Sequence, residues 1–553
     1  METTEMTLQA QIWGALTMVS IADSTDRIPR KHLDYSLPST APNDARRVLK
    51  LVEAVALIAA NRPTWQSVSA AAFELQRDHL SEVPELVIRI AQNGHLNDNA
   101  LESLNSILSL VTAFVQGTEG AKWRALSKRG EAQIEAQNAI VREFVYHSLL
   151  ENITMYNDVK ITGLISNRVR PFRDCWSKIQ TLSPATALKF EDQMAGIIAA
   201  FQRLATTAGA LARGVCLATI VIRSVTILYR DDLQELEDAW RLVIKDWPAG
   251  PTSASPAGDI DDSQNTNEGE EDRDDDDDDV MTLDGERPTP RSKCLIIRVL
   301  IKLARYCNAG TSIVRGLLRL SRNVKASLSI RILGVESESN SQTAASALSD
   351  GVVKDGGDGF LRKLHVSLLH EQSKQSLNGR WDKLALTSLL YVHAELKLAI
   401  FYLAHPERLP LYGILGISKK TCLSCNEYLK LLQKSDNSRY DTALIGQPLL
   451  FFYSGSHQRA YNSWRLPDLP PGNTLSPEEQ DTVGRRMQHV GEDVARGLGD
   501  MARQLVEYHF GHRDTDSESS GHSEGEIDAP DKELYAAASL QKLLVKLNEL
   551  QPE

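Results

Sequence analysis

Within the stretch from Tyr391 to Cys425 lie a histidine, a carboxylate and two cysteines at spacings that suit metal chemistry. His393-Ala394-Glu395 sits on an apolar run, and Cys422-Leu423-Ser424-Cys425 follows, with 26 residues between Glu395 and Cys422. One imidazole and two thiolates are good ligands for Zn²⁺, and three protein ligands leave a fourth position open for water. Glu395 is placed to move protons beside the metal instead of binding it. Zn²⁺ held in this way lowers the pKa of its water towards about 7, making hydroxide available at neutral pH. A carboxylate that takes that proton and passes it to a ring nitrogen and then a leaving amine yields a carbonyl and ammonia. Two other uses of the residues stay open at this level. One is a metal-free pair of buried cysteines; the other is a structural zinc site completed by His405 or His457. No second C-x-x-C exists to build a four-cysteine site.

The positioning elements follow from pattern. A C-x-x-C at a helix start places both sulfurs on one side, and the positive end of the helix favours thiolate. The spacing predicts a helix over Thr387–Ala404 bearing His393, then a short buried strand at Tyr412–Ile417. Ser418 is available to cap a helix from about residue 420 to 433. Strands are expected at Leu328–Val335, Leu364–Leu369 and Leu449–Tyr453, and two basic helices between Cys294 and Leu320. Residues 336–359 read as a Ser, Gly and Asp-rich insert. Strands alternating with helices imply a sheet covered by helices.

Here the residues reach a family. YVHAELKL, LYGILGISKKTCLSC and SGSHQRAYNSWRLP, within residues 391–467, resemble a largely fungal branch of the cytidine-deaminase-like superfamily, described as nucleic acid or nucleotide deaminases. With the preceding strands the resemblance covers about a third of the chain. It implies an α/β three-layer (α/β/α) cytidine-deaminase-like domain around a mixed sheet; the apolar patterns outside it are read separately as an all-α N-terminal region before it and C-terminal helices after it. The resemblance also implies His393, Cys422 and Cys425 as Zn²⁺ ligands and Glu395 as the proton shuttle. Thr421 departs from the general motif, which has Pro there, and Gln458-Arg459 stands where a smaller residue and Lys are expected. His457, Arg459, Tyr461 and Trp464 are the candidate substrate wall, because an aromatic beside a cation stacks a base and holds a phosphate. Packing of Tyr461 and Trp464 under the loop is the alternative.

Charge divides the chain. The formal net charge is −12, yet Pro251–Pro290 holds fifteen Asp or Glu against two Arg, while residues 291–472 hold 25 Lys or Arg against 13 Asp or Glu. The region of the proposed metal site is therefore basic, which favours an anionic substrate: a nucleotide or nucleic acid. The expected order is a mainly helical region at 1–250, an acidic disordered linker at 251–290 and the basic zinc domain at 291–472. An amphipathic helix follows at 473–511, an acidic disordered segment at 512–531 and a terminal helix at 532–553. In the first region helices are expected from Asn43-Asp44 to the stop at Asn61-Arg62-Pro63, then over 64–79, 82–94, 98–117, 127–155, 185–229 and 231–246. Ser476-Pro477-Glu478-Glu479 is a capping box, and Val483, Met487, Val490, Val494 and Leu498 step along one stripe behind it.

The acidic linker is long enough in charge to contact the basic domain within the same chain, and the helical arms offer surfaces to a protein partner. Six cysteines make no disulfide framework, and the apolar run near Ile12–Ala22 lacks a basic start. Ala210–Tyr229, interrupted by Arg213 and Arg223, reads as a buried helix and not as a membrane span. An intracellular protein, cytoplasmic or nuclear, is expected. Two function classes follow: a zinc-dependent deaminase of a nucleobase, or a catalytically inactive deaminase-fold protein of interaction, immunity or self-recognition.

Overall fold

The computed structural model describes residues 8–23, 43–76, 85–96, 98–126, 130–245, 295–324, 329–335, 342–343, 389–433, 451–453, 456, 460–461, 463–470 and 472–510. The linker at 251–290, the strand expected at 364–369, the segment at 512–531 and the terminal helix at 532–553 lie outside the described residues, as does most of 336–359. In chain order the helices are α1 (Leu8–Asp23), α2 (Asn43–Ala59), α3 (Asp98–Gln116), α4 (Thr118–Ala125), α5 (Glu131–Phe144), α6 (Leu150–Tyr156) and α7 (Asp158–Leu182). They continue as α8 (Pro184–Thr206), α9 (Ala210–Leu228), α10 (Leu233–Lys245), α11 (Leu295–Val324), α12 (Ala394–Ala404), α13 (Leu423–Gln433) and α14 (Pro477–Phe510). The strands are β1 (Ser69–Gln76), β2 (Glu85–Gln92), β3 (Ser329–Gly334), β4 (Gln342–Thr343), β5 (Leu389–Leu390) and β6 (Gly416–Ile417). They fall into two units: Met1–Ser39, Glu336–Leu409 and Lys420–Glu553 form one, Thr40–Val335 and Pro410–Lys419 the other.

The second of these units holds a four-stranded mixed sheet, ordered β3-β2-β1-β6. β1 and β2 are antiparallel from Ser69 opposite Gln92 to Gln76 opposite Glu85, and β3 runs parallel to β2. β6 closes on β1 through Ala70–Ile417 and Ala71–Gly416. Ser418 then extends the pairing, its N–H donating to Ser69 O at 2.9 Å while Ser69 N–H donates to Ser418 Oγ at 2.9 Å. Ser418 is thus committed to the sheet and does not cap a helix.

The hairpin overturns the helices expected over 64–79 and 82–94, and with them the all-α N-terminal region. In β1 the residues from Ser69 to Glu74 are all buried, and in β2 those from Leu86 to Gln92. A strand covered on both faces shows no polar alternation, so its sequence carries no period of two. Ser-Ala-Ala-Ala is also helix-prone, and burial between neighbours decided against that propensity.

Helix α2 lies against β1 and β6. Gly416 permits this: a Cβ there would stand 2.3 Å from Val52 C and 2.5 Å from Glu53 N. The crossover from β2 to β3 carries α3 to α11. Helix α7 has no counterpart among the expected segments, because Pro171 interrupts its pattern yet sits inside the helix. Where two basic helices were expected before β3, one 30-residue helix, α11, runs unbroken. Among the described residues one helix, α9, is long and apolar enough to cross a membrane. It packs against α6, α8 and α11, and its Arg213 makes a two-point ion pair with Asp158 at 2.9 Å.

The other unit contains α1, β4, β5, α12, α13 and α14. Helix α14 packs on α1 and α13, with Val483, Met487, Val490, Val494 and Leu498 buried. Its capping box forms as expected: Ser476 N–H donates to Glu479 Oε2 at 2.7 Å and Glu479 N–H to Ser476 Oγ at 3.3 Å. Phe451–Tyr453, expected within a strand, forms none of the named strands.

Candidate metal centre

Two helix starts build the centre. The chain leaves β5 and reaches His393 in an extended conformation, φ −68° and ψ 151°, as the residue before α12. The helix expected from Thr387 therefore begins later, at Ala394, and His393 precedes it while Glu395 lies in its first turn. Helix α13 begins immediately after Cys422, with Asn426 N–H donating to Cys422 O at 3.0 Å. Each start presents the positive end of a helix to groups that can be anionic.

Flanking pairs hold these starts. Tyr391 N–H donates to Ser463 O at 2.7 Å and Arg465 N–H to Tyr391 O at 2.8 Å, a parallel bridge two residues before His393. Ser456 Oγ donates to Thr421 O at 2.8 Å, fixing the residue before Cys422. Tyr453 OH donates to Asn426 Oδ1 at 3.1 Å in the first turn of α13. None of these contacts was legible beforehand. Their only trace was that the later segment, through Trp464, shared the family resemblance.

The ligand atoms of His393, Glu395, Cys422 and Cys425 all lie within 4.8 Å of one another, and all four residues are buried. His393 Nδ1 is 3.5 Å from Cys422 Sγ and 3.3 Å from Cys425 Sγ. Cys425 N–H donates to Cys422 Sγ at 3.4 Å, and the indole N–H of Trp464 donates to Cys425 Sγ at 3.2 Å. The two cysteines are free thiols. His405 is not in the group: its Nδ1 lies 2.9 Å from Phe401 O and its ring stacks on Phe401.

Electrostatics sort the acids. Burial raises the Cys422 thiol, but hydrogen bonds from Cys425 and the His393 charge outweigh it and hold that thiol well below its ordinary value. Burial and the neighbouring Cys422 push Cys425 well above its own. Burial also raises the Glu395 carboxyl, against the lowering effect of His393. Two thiols, an imidazole and a carboxyl in one buried group are a donor set that suits a divalent cation of borderline softness, which releases the thiol protons when it binds.

Residues 392–468 match the model of the OTT_1508-like deaminase family. The matched segment is about one seventh of the chain and contains all four residues of the cluster. No curated protein and no solved structure matches the chain.

Of the four residues expected to form a substrate wall, two lie within reach of description. The Tyr461 ring is half-buried, its centroid 6.2 Å from that of His393. Trp464 is fully buried, its ring 6.1 Å from that of Tyr428, and it stands behind Cys425 with no face to solvent. His457 and Arg459 lie outside the described residues.

Proposed function

We propose that this chain is a zinc-dependent hydrolytic deaminase acting on a nucleobase within a nucleotide or nucleic acid. The observation that carries this is the convergence of His393, Cys422, Cys425 and Glu395 in one buried group inside a segment that matches a deaminase family. His393, Cys422 and Cys425 would hold the metal, and Thr421 with Ser456, and Tyr391 with Ser463, keep their backbones in place. Bound there, Zn²⁺ supplies Lewis acidity that brings a water towards ionisation at neutral pH.

Glu395 is the proton carrier. Its carboxyl is raised by burial, which brings its proton affinity closer to what transfer near neutrality needs. It accepts a proton as water attacks the amino-bearing ring carbon and delivers one to the adjacent ring nitrogen. It then assists departure of the amine, so amidine and water become carbonyl and ammonia. Tyr461, half-buried beside the His393 ring, is the residue we assign to meet the base. The net positive charge of residues 291–472 supports an anionic, phosphate-bearing substrate.

The test is ammonia release and a one-mass-unit product shift, screened over nucleosides, nucleotides, DNA and RNA with the full chain. Glu395→Ala should retain the metal and lose turnover by orders of magnitude. If the intact, metal-loaded protein releases ammonia from none of these substrates, the enzymatic assignment falls and the inactive deaminase-fold protein takes its place.

A further inference from the structure

Trp464 has a hydrogen bond that packing alone does not require. It is fully buried, and its Nε1 lies 3.2 Å from Cys425 Sγ, inside the range for an N–H donor to sulfur. A buried indole N–H is costly to leave without an acceptor. Here the acceptor is a sulfur of the candidate centre and not a backbone carbonyl.

The two sulfurs are supported differently. Cys422 Sγ receives its N–H from Cys425, three residues on in the first turn of α13, as any C-x-x-C helix start would provide. Cys425 Sγ receives its N–H from a residue 39 positions later, which the tertiary structure must deliver. That delivery is over-determined. The strand-like bridge to Tyr391 holds the Trp464 backbone and leads two residues on to His393. Gln9 of α1 clamps the other side, its Nε2 donating to Trp464 O at 3.2 Å and its Oε1 accepting Leu466 N–H at 2.9 Å. Tyr428, one turn beyond Cys425 on α13, flanks the indole. One residue therefore links the backbone carrying His393 to the sulfur of Cys425.

The geometry points to Trp464 as a positioning residue of the metal centre, its indole N–H fixing the Cys425 thiolate in the orientation that binds metal. This rests on the metal reading above. Groups that hydrogen-bond metal ligands set ligand orientation and electron donation, and their loss costs about 10- to 100-fold in metal affinity. Trp464 thereby leaves the substrate wall and joins the support of the ligands.

The experiment compares full-length wild type with Trp464→Phe, which keeps an aromatic ring and removes the N–H. Co²⁺ is loaded in place of Zn²⁺, and the thiolate-to-metal charge-transfer band is recorded with chelator competition for both metals. The expected result is a shifted band and metal binding weakened about 10- to 100-fold, with the circular dichroism of the metal-free protein unchanged. An identical band and identical competition overturn the positioning role while leaving the metal site intact. Absence of any charge-transfer band in wild type removes the metal site and this inference together. Should Trp464→Phe fail to fold, indole-¹⁵N wild type decides. Of its eight tryptophan indole signals, at least one must move on Zn²⁺ addition, and eight unmoved signals overturn the proposal.

Discussion

Glu74 and Arg89 form an ion pair across the β1–β2 hairpin, Arg89 Nε to Glu74 Oε1 2.8 Å apart with side chains only 2% and 6% exposed. Breaking such a buried pair leaves one charge uncompensated and costs about 3–5 kcal/mol. Arg89→Met should therefore lower the melting temperature sharply, and the double change with Glu74→Leu should recover most of the loss. Thermal unfolding of wild type and the two variants checks this; equal loss in single and double variants would contradict it.

Gly416 is required by the close approach of β6 to α2, not by its backbone angles. Gly416→Ala forces a Cβ against Val52 C and Glu53 N, both backbone atoms that cannot swing aside. Overpacking of this kind costs about 1–3 kcal/mol. A variant as stable as wild type by denaturant titration would show that α2 can move away freely.

Asp158 ties α7 to α9. Burial raises its carboxyl, but hydrogen bonds from Arg213 and Thr162 and the Arg213 charge outweigh burial, so its folded pKa lies below the ordinary value. A depressed folded pKa contributes stability above the unfolded value of about 3.9, and that contribution is lost as pH falls through the folded pKa. Asp158→Asn should be less stable than wild type at pH 6, with the gap closing as the acid limit is approached. Melting curves from pH 6 to pH 3 read this, and a gap that widens towards acid would reverse the sign.

Metal should stabilise the unit that holds the cluster. A ligand at about 100 times its Kd adds about 2.7 kcal/mol to the state that binds it. Zn²⁺ should raise the melting temperature of wild type, and the rise should vanish in Cys422→Ser and Cys425→Ser. A rise of the same size in both variants would place the binding elsewhere.

Residues 258–286 carry fifteen Asp or Glu and one Arg, and the following 291–472 carries the opposite sign. Deleting 258–286 should raise affinity for single-stranded nucleic acid at low salt and steepen its salt dependence, as phosphate contacts do. Filter binding at two ionic strengths measures it. Unchanged affinity would separate the acidic segment from the basic region.

What was legible in the chain was local. The four residues that the structure gathers, His393, Glu395, Cys422 and Cys425, were singled out by type and spacing alone. The Ser476–Glu479 capping box is likewise written within four residues, and α2 and β3 within single periodic runs. The hairpin at β1 and β2 was not, because burial on both faces erases the alternation that marks a strand. The pairing of β6 with β1 joins residues more than 300 apart, and no local pattern encodes which edge a two-residue strand will take. Trp464 shows the same division. The sequence by itself offered Trp464 for a substrate wall or for packing under the loop; that its indole meets a cysteine sulfur was decided by tertiary structure. Hydrogen-bond direction depends on the bridge to Tyr391 and the clamp of Gln9, both distant along the chain.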